Sequence, residues 1–317
     1  MIRYRPFRNT DPPYLIEVWR QQPPLRALMQ PITVAALDRL VFSKPYFDRH
    51  GLIVAVEDDK PIGFVHAGFG PTPDGSDLSP ERGVTCMLMV APHPLQSQIS
   101  RELLVQSEDY LVRRGAKRLY GGCIEPLNPF YLGLYGGSEL PGVLASHTQL
   151  VELFPQLGYR EVERTVIMHR LTAGYRPLID RTQMQVRKRY KLELIPDPPT
   201  VNWWEACTIG LTERVRFQLV PKEGGAPVAV ATFWDIEPLA SSWGVRAMGL
   251  MRMATVTDQR RQGLATFLLG ECVRELQSQG IVQIELQCMQ HNVAAQKLYA
   301  KHGFQQVDAG IVFMKDV

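Results

Sequence analysis

Apolar positions along this chain change their spacing in an orderly way. From Met248 to Val256 they form a run with β-branched residues, the mark of a strand, and after a polar turn Phe267, Leu268, Leu269, Val273 and Leu276 recur at helical spacing. A second strand is predicted over Ile281 to Cys288, followed by a helix that opens near Asn292 and stops at Gly303. Upstream, Arg214 to Val220 and Pro227 to Ile236 flank a Glu223-Gly-Gly225 turn and read as a β-hairpin. Tyr190 to Leu194 reads as a strand broken by Pro196-Asp-Pro-Pro199, and Trp203 to Leu211 as a helix capped by Asn202.

The first half repeats this order in a faded form. Ile2 to Pro6 is a strand, Asp11-Pro12 starts a helix, and Thr33 to Phe42 is a second helix. Leu52 to Val56 and Ile62 to His66 form a hairpin, Val84 to Val90 is a strand, and Ser100 to Arg113 is an amphipathic helix. Aligning the closing glycines places Gly115 opposite Gly280 and Leu103-Leu104 opposite Leu268-Leu269, so the halves read as duplicates. The expected organisation is a domain over 1–170, a basic linker over 171–190 and a second domain over 191–317. Arg176, Arg181, Arg187, Lys188, Arg189 and the adjoining Lys191 are opposed only by Asp180, the pattern of a solvated helix face or of attraction for a polyanion.

Composition narrows the class. The chain has 317 residues, 45% of them hydrophobic, enough for two domains with real cores. A net charge of +3 argues against a dedicated nucleic-acid binder. The five cysteines, Cys86, Cys123, Cys207, Cys272 and Cys288, are scattered without C-x-x-C spacing, which suggests neither a disulfide framework nor a metal site. With no signal-like segment at Met1 to Arg8 and no membrane-length apolar run, a soluble cytoplasmic protein is expected.

The turn after Met248 to Val256 carries the candidate chemistry. Small residues at Gly263 and Ala265 let backbone amides approach a ligand, and a helix start leaves free N–H groups and a dipole that favour an anion such as a pyrophosphate. Two motifs in order, R260-x-x-G263-x-A265 and N292-x-x-A295-x-x-L298-Y299-x-x-x-G303-F304, resemble the acetyl-CoA-binding core of the GNAT superfamily of N-acetyltransferases, with residues 249–317 matching closely.

The resemblance implies an α/β (α+β, mixed-sheet) fold of two tandem GNAT-like domains, each a twisted mixed sheet flanked by helices. It implies a cofactor, acetyl-CoA, held by Ala254 and Val256 along its arm, by Arg260, Arg261, Gln262, Gly263, Leu264 and Ala265 at the pyrophosphate, and by Asn292 and Tyr299. Tyr299 corresponds to the family's proton donor to the departing thiolate, and Asn292 to a helix cap beside the cofactor arm. The base is not readable from the residues. Glu285 is the catalytic candidate, with Asp235, Glu237 and Asp258 as other carboxylates near the expected site, and in this family a water chain can replace a dedicated base. The implied function is acetyl transfer to a primary amine on a small molecule or peptide. Neither nucleic acid, membrane nor metal is expected, and the protein would be a monomer or homodimer. An acetyl-CoA-binding sensor or scaffold without turnover is the alternative.

The first half departs from the family's pattern. Leu95 to Ser100, preceded by Pro92 and Pro94, stands where the second half has R-R-Q-G-L-A, and Gln98 is opposite Gly263. Phe154 is opposite Tyr299, His147 opposite Asn292, and Gly158-Tyr159 matches Gly303-Phe304. A phenyl ring has no proton to give, so this copy is expected to be non-catalytic. The interval from Gly115 to His147 is much longer than its counterpart and holds Phe130, Tyr131 and Tyr135, which either wall a ligand or the second domain, or cover the first domain's own core.

Overall fold

The computed structural model describes residues 1–317. The first half runs β1 (Arg3–Pro6), α1 (Pro12–Arg20), α2 (Val34–Leu37) continuing as a π-helical turn over Asp38–Phe42, β2 (Leu52–Glu57), β3 (Lys60–Pro71), β4 (Leu78–Val90), α3 (Gln96–Arg113), β5 (Arg118–Gly121), β6 (Val143–Leu144), α4 (Thr148–Gln156) and β7 (Arg160–Leu171). The second runs α5 (Arg181–Arg189), β8 (Tyr190–Pro196), α6 (Trp203–Ile209), β9 (Arg214–Pro221), β10 (Ala229–Asp235), α7 (Glu237–Ala240), β11 (Ala247–Thr255), α8 (Leu264–Ser278), β12 (Gln283–Met289), α9 (Val293–Lys301) and β13 (Gln305–Asp316). No helix is long and apolar enough to cross a membrane.

Both predicted hairpins form, β2 with β3 and β9 with β10. The mixed strands of the two repeats join into one sheet in the order β1-β2-β3-β4-β5-β13-β7-β12-β11-β10-β9-β8, with β6 paired to β13. Matching the repeats element by element makes this order read the same from either end. The centre is an antiparallel pair of the two equivalent last strands, from Gln305 opposite His169 to Met314 opposite Arg160.

Those last strands are exchanged. β7, from the first half, pairs with β12, while β13, from the second, pairs with β5. The cores follow the exchange. Val166 and Met168 of β7 lie in the core beneath α8, and Ile311 and Phe313 of β13 lie in the core beneath α3 and α4. Each such side chain contributes about 1.5–3 kcal/mol on full burial, so each half takes part of its stability from the other.

The stretch between Leu171 and Tyr190 contains α5, capped by Asp180, whose carboxylate accepts from the Gln183 N–H at 2.8 Å. Its basic residues Arg187, Lys188 and Arg189 fall in the last turn, where cations meet the favourable end of the helix dipole. Phe130, Tyr131 and Tyr135 of the long segment are buried in a core built mainly of first-half residues, which Trp234, Ile236, Leu239, Ala240 and Ala247 of the second half also join.

Candidate active site

β11 and β12 pair in parallel from Ala247 opposite Gln283 to Leu250 opposite Leu286, and then part. Past that point the backbone edge of residues 251–255 has no strand partner on the β12 side. The parting opens a cavity of about 640 Å³, reached by residues 250–253 of β11, residues 287–289 of β12, Asn292 just before α9 and Tyr299 within it. Its far wall is α6, through Trp204, Glu205 and Thr208, together with first-half segments at Thr72 and Glu125. The cavity therefore lies between the two halves.

Beyond the exposed end of β11 the chain turns into α8. Arg261 and Gly263 both adopt the left-handed conformation, at φ +60° and +81°, and Gly263 sits at the N-cap position. No side chain caps α8, and the amides of residues 261 to 266 donate to no acceptor in the chain. Turns of this kind gather N–H groups into a concavity suited to an anion. A Cβ on Gly263 would approach the Thr182 methyl to 2.7 Å, so α5 braces the turn from behind. Gln183 adds a contact from its Nε2 to the Gly263 carbonyl at 3.4 Å.

Tyr299 and Asn292 stand together on the cavity wall. The Tyr299 ring is 7% exposed, and burial, with Cys288 and Glu139 nearby, holds its phenol above its ordinary value of 10. Its hydroxyl makes no hydrogen bond within the chain. Asn292 caps α9, its Oδ1 accepting from the Ala295 N–H at 3.1 Å. Ala254, paired with Val230, is exposed, as are Val256, Arg260, Arg261 and Gln262; Leu264 is buried and Ala265 half-buried. These residues continue from the cavity along the surface towards the free amides and do not line it.

Glu285, expected at the site, is elsewhere. Ile284 and Leu286 face the core under α8, so Glu285 projects to the opposite side of β12, where it is wholly buried. There it forms an ion pair with Arg26 of the first half and accepts the Ser138 N–H at 3.0 Å. Burial raises its pKa and the Arg26 charge opposes the rise. Its side chain does not line the cavity. Asp258 lies in the exposed turn before α8, and Asp235 accepts the Glu237 N–H at 2.9 Å; none of Asp235, Glu237 and Asp258 reaches the cavity.

Three other carboxyls do: Glu125 and Glu205, both paired with Arg252, and Glu139, from the long segment of the first half. The Glu139 oxygens carry no ion pair and no hydrogen bond. Burial, with Glu125 adding repulsion and Arg252 opposing it, lifts its pKa well above the usual 4.5. The segment is pinned by second-half groups: the Trp234 Nε1 donates to the Ser138 carbonyl at 2.8 Å, and the Gln287 Nε2 to the carbonyls of Gly136 and Glu139 at 3.1 and 2.8 Å. Gly137, at φ +117°, leaves the space the Glu285 carboxylate occupies; a Cβ there would stand 1.7 Å from its Oε1. Polar Gln283, Glu285 and Gln287 alternating with apolar Ile284 and Leu286 was the one sequence signal that this strand meets a second polar partner.

The profile of the acetyltransferase (GNAT) family matches the sequence twice, over residues 14–136 and 182–304. No curated protein sequence matches the chain. Among solved structures, a tandem GNAT protein from the clavulanic acid biosynthesis pathway is similar at 11% identity and a TM-score of 0.64, covering 100% of this chain and 98% of that one. A GCN5-related N-acetyltransferase from Sphaerobacter thermophilus is similar at 13% identity and a TM-score of 0.65, covering 99% and 95%. A GCN5-related glucosamine N-acetyltransferase region of a fungal multi-domain GH3 β-N-acetylglucosaminidase gives 13% identity and 0.68, covering 99% of this chain and 38% of that one. At such identities the likeness is one of fold.

Proposed function

The chain belongs to the GNAT acetyltransferase family, in tandem form, and from that premise we propose that its second half transfers an acetyl group from acetyl-CoA directly to a primary amine. The observation that carries this reading is the continuity of one surface, from the free amides of residues 261 to 266, along the unpaired edge of β11, to the phenol of Tyr299 in the cavity.

When bound, acetyl-CoA supplies an acyl group already activated as a thioester. The amides of Arg261, Gln262, Gly263, Leu264 and Ala265 fit its pyrophosphate, with Arg260 and Arg261 adding positive charge. Ala254 and Val256 offer backbone groups along the arm. Asn292 spends its oxygen on the cap and keeps its amide NH₂ for the arm. Tyr299, protonated throughout the neutral range because burial raises its pKa, donates to the leaving sulfur. Glu139, as the base, takes the proton from the amine.

The test is incubation of the full chain with acetyl-CoA and a panel of primary amines while free thiol is followed. Thiol release that depends on the amine is expected. Tight acetyl-CoA binding with no release for any amine would turn the reading to a sensor.

A further inference from the structure

The cavity is lined by ionisable groups whose pairing is incomplete. Arg252 is neutralised by Glu125 at 3.5 Å and Glu205 at 3.9 Å. Arg214 is not. Its side chain is 5% exposed, one nitrogen reaches the surface carboxylate of Asp197 at 3.3 Å, and its buried Nε has no partner. Arg216, two residues along β9 and on the same face, meets no carboxylate; its Nε reaches only the Thr232 hydroxyl at 3.5 Å. A guanidinium held this far from water is costly unless an anion completes it, and its planar fork matches a carboxylate with two parallel bonds. On the same cavity, Glu139 is a carboxyl with no ion pair or hydrogen bond of its own.

We propose that the acceptor is an amine bearing a carboxylate, bound with its nitrogen at Glu139 and Tyr299 and its carboxylate against Arg214 and Arg216. This rests on the transferase reading above. The amine nitrogen bonds to the acyl carbon as the carbon–sulfur bond breaks; Glu139 receives the proton the nitrogen loses, and Tyr299 protonates the sulfur.

The sheet bounds the length of this acceptor. Arg216 pairs with Thr232 of β10, and Thr232 pairs with Arg252 of β11, the strand that edges the opening. Two strand spacings of about 4.8 Å place the Arg216 backbone about 10 Å from that of Arg252, an upper bound on the span because the Arg216 side chain reaches towards Thr232 on the strand between. A peptide of up to three residues, about 10 Å when extended, fits that bound.

The experiment compares triglycine with triglycine amide as acceptors for the full chain, with thiol release as readout. These probes share an amine and differ in the distant charge. We expect kcat/KM about 10- to 100-fold higher for triglycine, the range for one hydrogen-bonded charge. In Arg216→Gln, and in the Arg214→Gln/Arg216→Gln double variant, that preference should collapse through a raised KM while the amide's kinetics stay as in the parent. Thermal melts of both variants separate a lost contact from lost folding, with Arg216→Gln the milder because Arg216 is only half-buried. Equal kcat/KM for the two peptides, or variants that weaken both equally while still folded, would overturn the proposal and leave the transferase reading intact. No thiol release with any amine would overturn that reading and this inference with it.

Discussion

The two halves open at the same place and do opposite things with the opening. In the first, β4 and β5 pair in parallel from Arg82 opposite Arg118 to Thr85 opposite Gly121 and then part, as β11 and β12 do after Leu250 opposite Leu286. The space left in the first half is about 10 Å³, room for one water at most, against about 640 Å³ in the second. Tyr135 and Phe154 fill it. The Phe154 ring lies so close to the backbone that a Cβ on Gly121 would meet it at 2.3 Å, and it stacks on Phe313 of the exchanged strand with centroids 5.2 Å apart. The helix starts differ in the same sense. α3 begins at Gln96, earlier than the expected Ser100, so Gln98 lies in its first turn, and the N–H groups of Leu95 and Gln96 are consumed by the ring nitrogen and carbonyl of His93, each at 3.0 Å. Where the second copy leaves the amides of residues 261 to 266 free and a phenol facing a cavity, the first leaves only those of Ser97 and Gln98 free in its first turn and packs a phenyl ring.

The long first-half segment then connects the two outcomes. It sends Tyr135 into its own half's closed slot and Glu139 into the other half's open one. A duplicated domain whose own opening is closed can in this way contribute side chains to the cavity of its twin.

The most severe way to break the comparison is to separate the halves. Residues 172–317 alone lack β7, which leaves β12 an open edge and removes Val166 and Met168 from the core beneath α8. We expect this fragment to show no cooperative melt and to bind no acetyl-CoA, measured by circular dichroism and calorimetry. A sharp melt from the isolated fragment would show that the exchange of strands is not needed for stability.

Next in size is the aromatic pair at equivalent positions. Tyr299→Phe should lower kcat by on the order of 10²–10⁴ with the affinity for acetyl-CoA unchanged, since it removes a proton donor and little volume. Phe154→Tyr, the reciprocal change, should confer no activity and should destabilise by about 1–3 kcal/mol, the cost of an unpartnered hydroxyl in a closed core. Unchanged turnover in Tyr299→Phe would remove the proton-donor role.

Much of this was legible in the residues. Both hairpins, the strand-turn-helix at Met248 to Leu276 and the Asn292 cap follow from periodicity, turn chemistry and capping, all of them local. The exchange of β7 and β13 was not, because either strand offers the same alternating faces to either partner and only the assembled cores choose. Glu139 was hidden for a related reason: it sits in an irregular segment with no period, and its placement depends on contacts made to Trp234 and Gln287 far along the chain. Glu285 stands on a strand that borders the site, but the face it takes, set by Ile284 and Leu286 packing the other way, could not be read from the strand alone. Gly137 acquires its meaning only once the Glu285 carboxylate is seen against it.

The finest test sets these two carboxylates against each other. Glu139 must be ionised to accept a proton, and burial raises its pKa above 4.5, so kcat/KM should fall on the acid side at a pH higher than for an exposed glutamate. Glu139→Gln should remove that acid limb and lower kcat by on the order of 10². Glu285→Gln keeps an oxygen for the Ser138 N–H but gives up the charge and the hydrogen bond with Arg26, its NH₂ then facing the guanidinium, so it should change kcat by less than about threefold and leave the acid limb in place. Its effect belongs to stability. The carboxyl of Glu285 has a folded pKa above its unfolded value, so the native state binds the extra proton and the group's contribution is present below about pH 4.5 and lost as pH rises through the folded value. Replacing it with the neutral amide should flatten that dependence in melts taken across pH. If instead Glu285→Gln lost the acid limb and Glu139→Gln kept it, the base would be the carboxylate sealed behind Arg26, and the cavity would have to open far more widely than this packing allows.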